Sequence, residues 1–149
     1  MRKREHICYR LLPWLLWMAV IFYFSSQSGD QVSAWLRALV EPIIPAYAPN
    51  AGVIKFSVQK SAHLIEYAVL AILCWRAVQP LWARRAFRLS LLLSLAFAVS
   101  DEWHQSFVPG RGPSWRDVGI DGLGILFGLL VMHWIGFALG RLCRDTSAD

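Results

Sequence analysis

Residues Leu89–Phe107 read LSLLLSLAFAVSDEWHQSF, and whether this stretch crosses a membrane decides the fold. Its uncharged part, Leu89–Ser100, is too short to traverse a hydrocarbon core of about 30 Å at about 1.5 Å per helical residue. A spanning helix must therefore lengthen in both directions, from about Ala83 to about Phe107, before Pro109 ends it. That lengthening draws Asp101, Glu102, His104 and Gln105 toward the membrane.

On either side lie runs that are easier to read. Leu11–Gly29 is uncharged between Arg10 and Asp30, with Trp14 and Trp17 suited to a membrane interface. A signal peptide competes for this run, because Arg2, Lys3 and Arg4 precede it and Ser26-Gln27-Ser28 has the small-x-small form of a cleavage site. Aromatic-rich anchors followed by further spans usually stay attached, which favours a helix that is kept. Gly122–Gly140 is a second uncharged run, and Gly124-x-x-x-Gly128 within it lets two helices approach closely. Ser61–Gln79 is apolar but interrupted by His63, Glu66 and Arg76. The expectation is an all-α, polytopic membrane protein: a single domain over 1–149, with four transmembrane helices at about 8–27, 60–79, 83–107 and 117–140. In the connection Gly29–Lys60, the residues Trp35, Leu36, Leu39, Val40, Ile43 and Ile44 form an apolar face interrupted by Pro42 and Pro45. It reads either as a short helix on the membrane surface or as a packed loop.

Composition agrees with lipid as the solvent. Of the 149 residues 56% are hydrophobic, with a mean hydropathy of +0.42, above the usual range of a soluble domain of this length. The net charge of +5 is dispersed between apolar runs instead of forming a basic stripe, so nucleic acid is not an expected partner. Cys8, Cys74 and Cys143 have no CxxC spacing and read as apolar filler. Basic residues set the orientation. Arg2, Lys3, Arg4, Arg10, Arg76, Arg84, Arg85, Arg88, Arg141 and Arg144 fall on one side, against Arg37, Lys55, Lys60, Arg111 and Arg116 on the other. The positive-inside rule then places both termini in the cytoplasm of a multi-pass protein of the bacterial cytoplasmic membrane.

The unusual chemistry gathers at the other, outer face. Lys60, His63 and Glu66 recur at i, i+3 and i+6. Asp101 and His104 are spaced i, i+3, with Gln105 one turn beyond Asp101. Asp117 and Asp121 repeat at i, i+4 after the loop Pro109-Gly110-Arg111-Gly112-Pro113. Each set shares one helix face, and with antiparallel neighbours all three sets fall at one depth. Ionisable groups in a spanning helix cost a few kcal/mol, so they turn inward and find partners. Individually, Asp117 and Ser114 also read as helix caps, His133 as a hydrogen-bonded packing residue, His6 as a surface residue, and Arg37 with Glu41 as a surface pair.

Taken in order, Phe24-Ser25-Ser26-Gln27, Lys60-x-x-His63-x-x-Glu66-Tyr67, Asp101-Glu102-x-His104-Gln105 with Pro109-Gly110-Arg111, and Asp117-x-x-x-Asp121-x-x-Gly124-x-x-x-Gly128 resemble the VanZ-like family of bacterial membrane proteins. That family is named for a protein associated with low-level resistance to the glycopeptide teicoplanin. The resemblance covers nearly the whole chain and implies an envelope-located four-helix protein whose outer-face polar residues matter. It implies no particular reaction.

The expected function is action at the outer face on an anionic lipid or lipid-linked envelope precursor, with membrane lipids as partners. In an enzyme, His63 and His104 would serve as acid, base or nucleophile, oriented by Glu66 or Asp101. Lys60, Gln105, Arg111, Arg116, Asp117 and Asp121 would then bind substrate, the cations taking its phosphate. The alternative is a non-enzymatic scaffold, or a lipid- or partner-binding protein, whose polar cluster is structural. A divalent metal held by His-x-x-Glu and Asp-x-x-His is a third reading. Proton or ion transport is a fourth, weakened because only His133 continues a polar path toward the cytoplasm.

Overall fold

The computed structural model describes residues 2–43, 50–112 and 114–145, with side chains described for 9–43, 50–112 and 114–138. Cys8, Cys143, His6, Ile44 and Pro45 fall outside the described side chains. Helix α1 (Arg2–Ser25) is followed by α2 (Gly29–Val40), α3 (Ala51–Val78), a 3-10 turn at Ala83–Arg85, α4 (Ala86–Gln105) and α5 (Trp115–Asp145). The described residues contain no strand. α3 starts at Ala51, ahead of the expected Lys60, so much of the expected outer connection belongs to this helix. α4 with its leading 3-10 turn covers nearly the extent anticipated for the third helix.

Of the two readings of the connection after Gly29, the helical one holds for α2. Ser28 caps it through a reciprocal pair, its side chain accepting from the Gln31 amide while the Gln31 side chain accepts from the Ser28 amide. This cap turns the chain sharply, and the axes of α1 and α2 diverge by 99°. Gly29 makes the corner possible. Its amide donates to the Pro109 carbonyl at 3.1 Å, and a Cβ there would collide with the Gly110 carbonyl. Gly110 itself has φ +72, a conformation glycine adopts without strain. At the far end of α2, Glu41 pairs with Lys55 of α3 at 3.1 Å. The expected Arg37–Glu41 pair is thus replaced by a bond that fastens two helices.

α3 and α5 form the most extensive helix pairing. They run parallel, because contacts advance together from Lys60–Asp117 through His63–Asp121 to Leu64–Gly124 and Ala68–Gly128. A Cβ at Gly124 would overlap the Leu64 carbonyl, and one at Gly128 the Ala68 carbonyl. The glycine pair therefore lets two backbones touch, as the sequence spacing suggested. α4 joins through the stripe Ala86, Ser90, Ser94, Ala98, Asp101 and Gln105, all buried, while its Leu92, Leu93, Val99 and Trp103 are exposed. Small and polar residues face inward and large apolar ones outward, the reverse of a water-soluble bundle. Cys74 is buried in this seam against Ser90 and Ser94.

By length and composition, α3 and the Trp115–Ala138 part of α5 can each cross a membrane, and α1 with α2 qualify together as a bent third candidate. α4, which carries Asp101 and Glu102 near its end, does not meet that measure.

Close packing at the seam predicts that Gly128→Val destabilises the protein by about 1–3 kcal/mol through overpacking. Gly136→Val has open space around its new side chain and should be near neutral. Thermal melting followed by size-exclusion chromatography in mild detergent checks the pair, and equal melting of both variants would contradict the seam.

Candidate functional site

At the end of α1, beside the middle of α3, the polar residues of four helices meet. Asp101 of α4 is 3% exposed, and its Oδ2 accepts from three donors. Ser25 Oγ of α1 lies at 2.7 Å, Tyr67 Oη of α3 at 3.1 Å and Gln105 Nε2 at 3.1 Å. Gln105 also donates to Ser25 Oγ at 3.3 Å. A carboxylate taken out of water becomes tolerable as donors converge on it, and here those on Oδ2 come from three different helices, while Oδ1 is buried without a partner among the described residues.

Alongside this hub, Lys60 pairs with Asp117, the two side chains 18% and 20% exposed. Asp117 stands in the first turn of α5, where its negative charge also suits the helix dipole. The cap of that helix is supplied by a residue not singled out as a site candidate: Glu102 accepts from the Ser114 amide. His63 Nδ1 approaches Asp121 Oδ1 at 3.4 Å, with Asp121 almost fully buried. Neither atom completes a hydrogen bond among the described residues, so the contact is electrostatic proximity with room to tighten.

Other candidates are engaged elsewhere. His104 Nε2 lies 3.1 Å from Ser26 Oγ, and its ring stacks on Phe22 at 4.3 Å. Arg111 donates from Nε to the Gln27 carbonyl at 3.2 Å and from Nη2 to the Phe24 carbonyl at 3.4 Å. It thereby joins a carbonyl in the last turn of α1 to one in the corner that follows it. Arg116 is exposed, away from the cavity described next. His133 is exposed near the opposite end, in place of the hydrogen-bonded packing role expected for it.

Between α2, α3 and the end of α1 is a cavity of about 330 Å³. Its roof is apolar: Val32, Trp35, Leu36 and Leu39 of α2. Its floor is polar, formed by Ser25, His63, Glu66 and Arg111. Of the residues nominated as catalytic, His63 and Glu66 reach the cavity, while Asp101 and His104 do not line it. The anticipated pairings are therefore rearranged. His63 is backed by Asp121 instead of Glu66, and Asp101 serves Ser25 instead of a histidine. Glu66 accepts no side-chain hydrogen bond among the described residues, although its backbone carbonyl receives Trp17 Nε1 at 2.9 Å.

The motifs that build this layer and the glycine seam beneath it lie within the segment, residues 11–136, that matches the VanZ/LLP1 family model. The chain belongs to the VanZ/LLP1 family. No curated protein and no solved structure matches it significantly. Family membership, together with the apolar helices, supports a membrane protein of the cell envelope with the resistance association that the family's name carries.

Ser25 and Tyr67 were missed as site residues in reading the sequence. Both lie inside motifs that carry the family resemblance, but a serine at the end of α1 and a tyrosine in the middle of α3 give no charge signal. The described residues contain no group of three or more His, Cys, Asp or Glu side chains arranged to hold a metal.

The hub predicts coupling between Ser25 and Asp101. In a double-mutant cycle of Ser25→Ala and Asp101→Ala, unfolding in a mixed-detergent titration should give an interaction energy of about 1 kcal/mol. Strict additivity would mean that the hydrogen bond contributes nothing.

Proposed function

We propose that this family member is a four-span protein of the cytoplasmic membrane, both termini inside, whose outer-face cavity binds an anionic lipid or lipid-linked envelope precursor. The observation that carries the reading is the divided lining of the cavity. Arg111 and His63 on the floor suit a phosphate or carboxylate, and the α2 face suits the first carbons of an acyl or prenyl chain. α2 leaves α1 at a near right angle, which lays it along the interface when α1 stands upright, with Trp35 at headgroup depth. The excess of basic residues at the opposite end supports the orientation. The hub residues support α4 as the fourth span, because their polar groups are turned inward and three donors converge on Asp101 Oδ2.

Recognition is favoured over turnover by the same geometry. Asp101, Gln105, His104, Lys60 and Asp117 are all occupied with internal partners. His63, Glu66 and part of Arg111 remain to meet a ligand. A catalytic reading has one specific support, the carboxylate of Asp121 behind His63, an arrangement that orients a general base.

Native mass spectrometry of the detergent-purified chain tests the reading. The unaltered protein should retain an anionic lipid species that is depleted in His63→Ala and in Ala62→Phe, which obstructs the cavity with its charges intact. His104→Ala should keep it. Equal retention in all four proteins would overturn the cavity as the binding site. A time-dependent change in headgroup mass that requires His63 would favour catalysis.

A further inference from the structure

At the end of the bundle opposite the polar hub lies a second, larger cavity, of about 470 Å³, walled by α1, α3 and α5. Its polar lining is cationic or neutral: Arg10, Arg76, Gln79 and His133. The remainder is apolar, from Trp75 and Met132 to Ile135 on the exposed side of α5. Arg10 Nη1 donates to the Arg76 backbone carbonyl at 3.3 Å, which commits one of its five guanidinium N–H groups and ties α1 to α3 at this end. Neither arginine has a carboxylate partner among the described residues. Both cations line one cavity, so an anion entering it is attracted by the two together. Gly136 lies in the wall, and a Cβ there would meet nothing within 4 Å, so the glycine leaves space open.

We infer that this cavity is a second ligand site, which takes the phosphate group of an anionic phospholipid from the leaflet at the basic end. Its two guanidiniums supply forked donors matched to phosphate oxygens, and the apolar α5 wall receives the start of an acyl chain. A basic pocket between spanning helices on the positively charged side is the arrangement that recognises such headgroups. The site is separate from the outer cavity, shares no residue with it, and does not depend on what the outer cavity binds.

The test uses the full chain, delipidated in detergent and titrated with phosphatidylglycerol or phosphatidylcholine, with bound lipid counted by native mass spectrometry. Phosphatidylglycerol should bind more tightly than phosphatidylcholine. Arg10→Gln and Arg76→Gln should each weaken it about fivefold. Gly136→Leu, which fills the space and leaves every charge in place, should weaken it as well, and all three losses should persist in a His63→Ala background, where the outer cavity no longer competes for the anionic lipid. Failure to displace the lipid with inorganic phosphate assigns the site to phospholipid. Efficient displacement keeps the site but assigns it to free phosphate. Unchanged phosphatidylglycerol binding in Arg10→Gln, Arg76→Gln and Gly136→Leu, or equal binding of the two lipids, overturns the proposal.

Discussion

A buried carboxylate has to be surrounded by donors, and that requirement at Asp101 organises one end of this molecule. No single helix can satisfy it. Ser25 supplies a hydroxyl from the last residue of α1, Tyr67 a phenol from α3, and Gln105 an amide from the next turn of α4. Each donor commits its helix to a depth and a rotation, so three helices are registered by one acceptor atom. Because the unpaired state is expensive where water is scarce, the hub specifies one arrangement among the many that apolar packing alone would accept.

α5 is positioned by a different device. The glycines at 124 and 128 remove the side chains that would hold it away from α3. Once the backbones touch, the parallel register brings Asp117 to Lys60 and Asp121 to His63. The close approach is thus also an electrostatic event, since a larger residue at either glycine would separate both charge pairs. Glu102 then ties α4 to the start of α5 through the Ser114 amide. Hub and seam together leave His63 facing a cavity with its carboxylate behind it.

The corner at Gly29 and Gly110 connects these elements to α2. Arg111 completes it by bonding the Phe24 carbonyl of α1 and the Gln27 carbonyl of the corner while lining the cavity. One guanidinium therefore stabilises the turn that places the apolar roof and contributes charge to the floor. The two ends of the bundle differ in kind: one pairs its charges across helices, and the other presents arginines without carboxylates among the described residues.

Much of this architecture was legible in the sequence, because the signals involved are local. Uncharged runs, the Gly124-x-x-x-Gly128 spacing and the i, i+3 and i, i+4 recurrence of charged residues depend on helical periodicity, which needs no knowledge of neighbours. The sequence by itself determined an all-α chain, the polar layer at one end and the membership that its motifs carry. Tertiary structure decided which groups pair. That Asp101 serves Ser25 and not a histidine, that Glu41 takes Lys55 and not Arg37, and that α3 lies parallel to α5 all depend on contacts between residues distant in the chain. Helical spacing fixes the face a side chain occupies, but its partner depends on how closely two backbones approach, a distance that glycines set between α3 and α5.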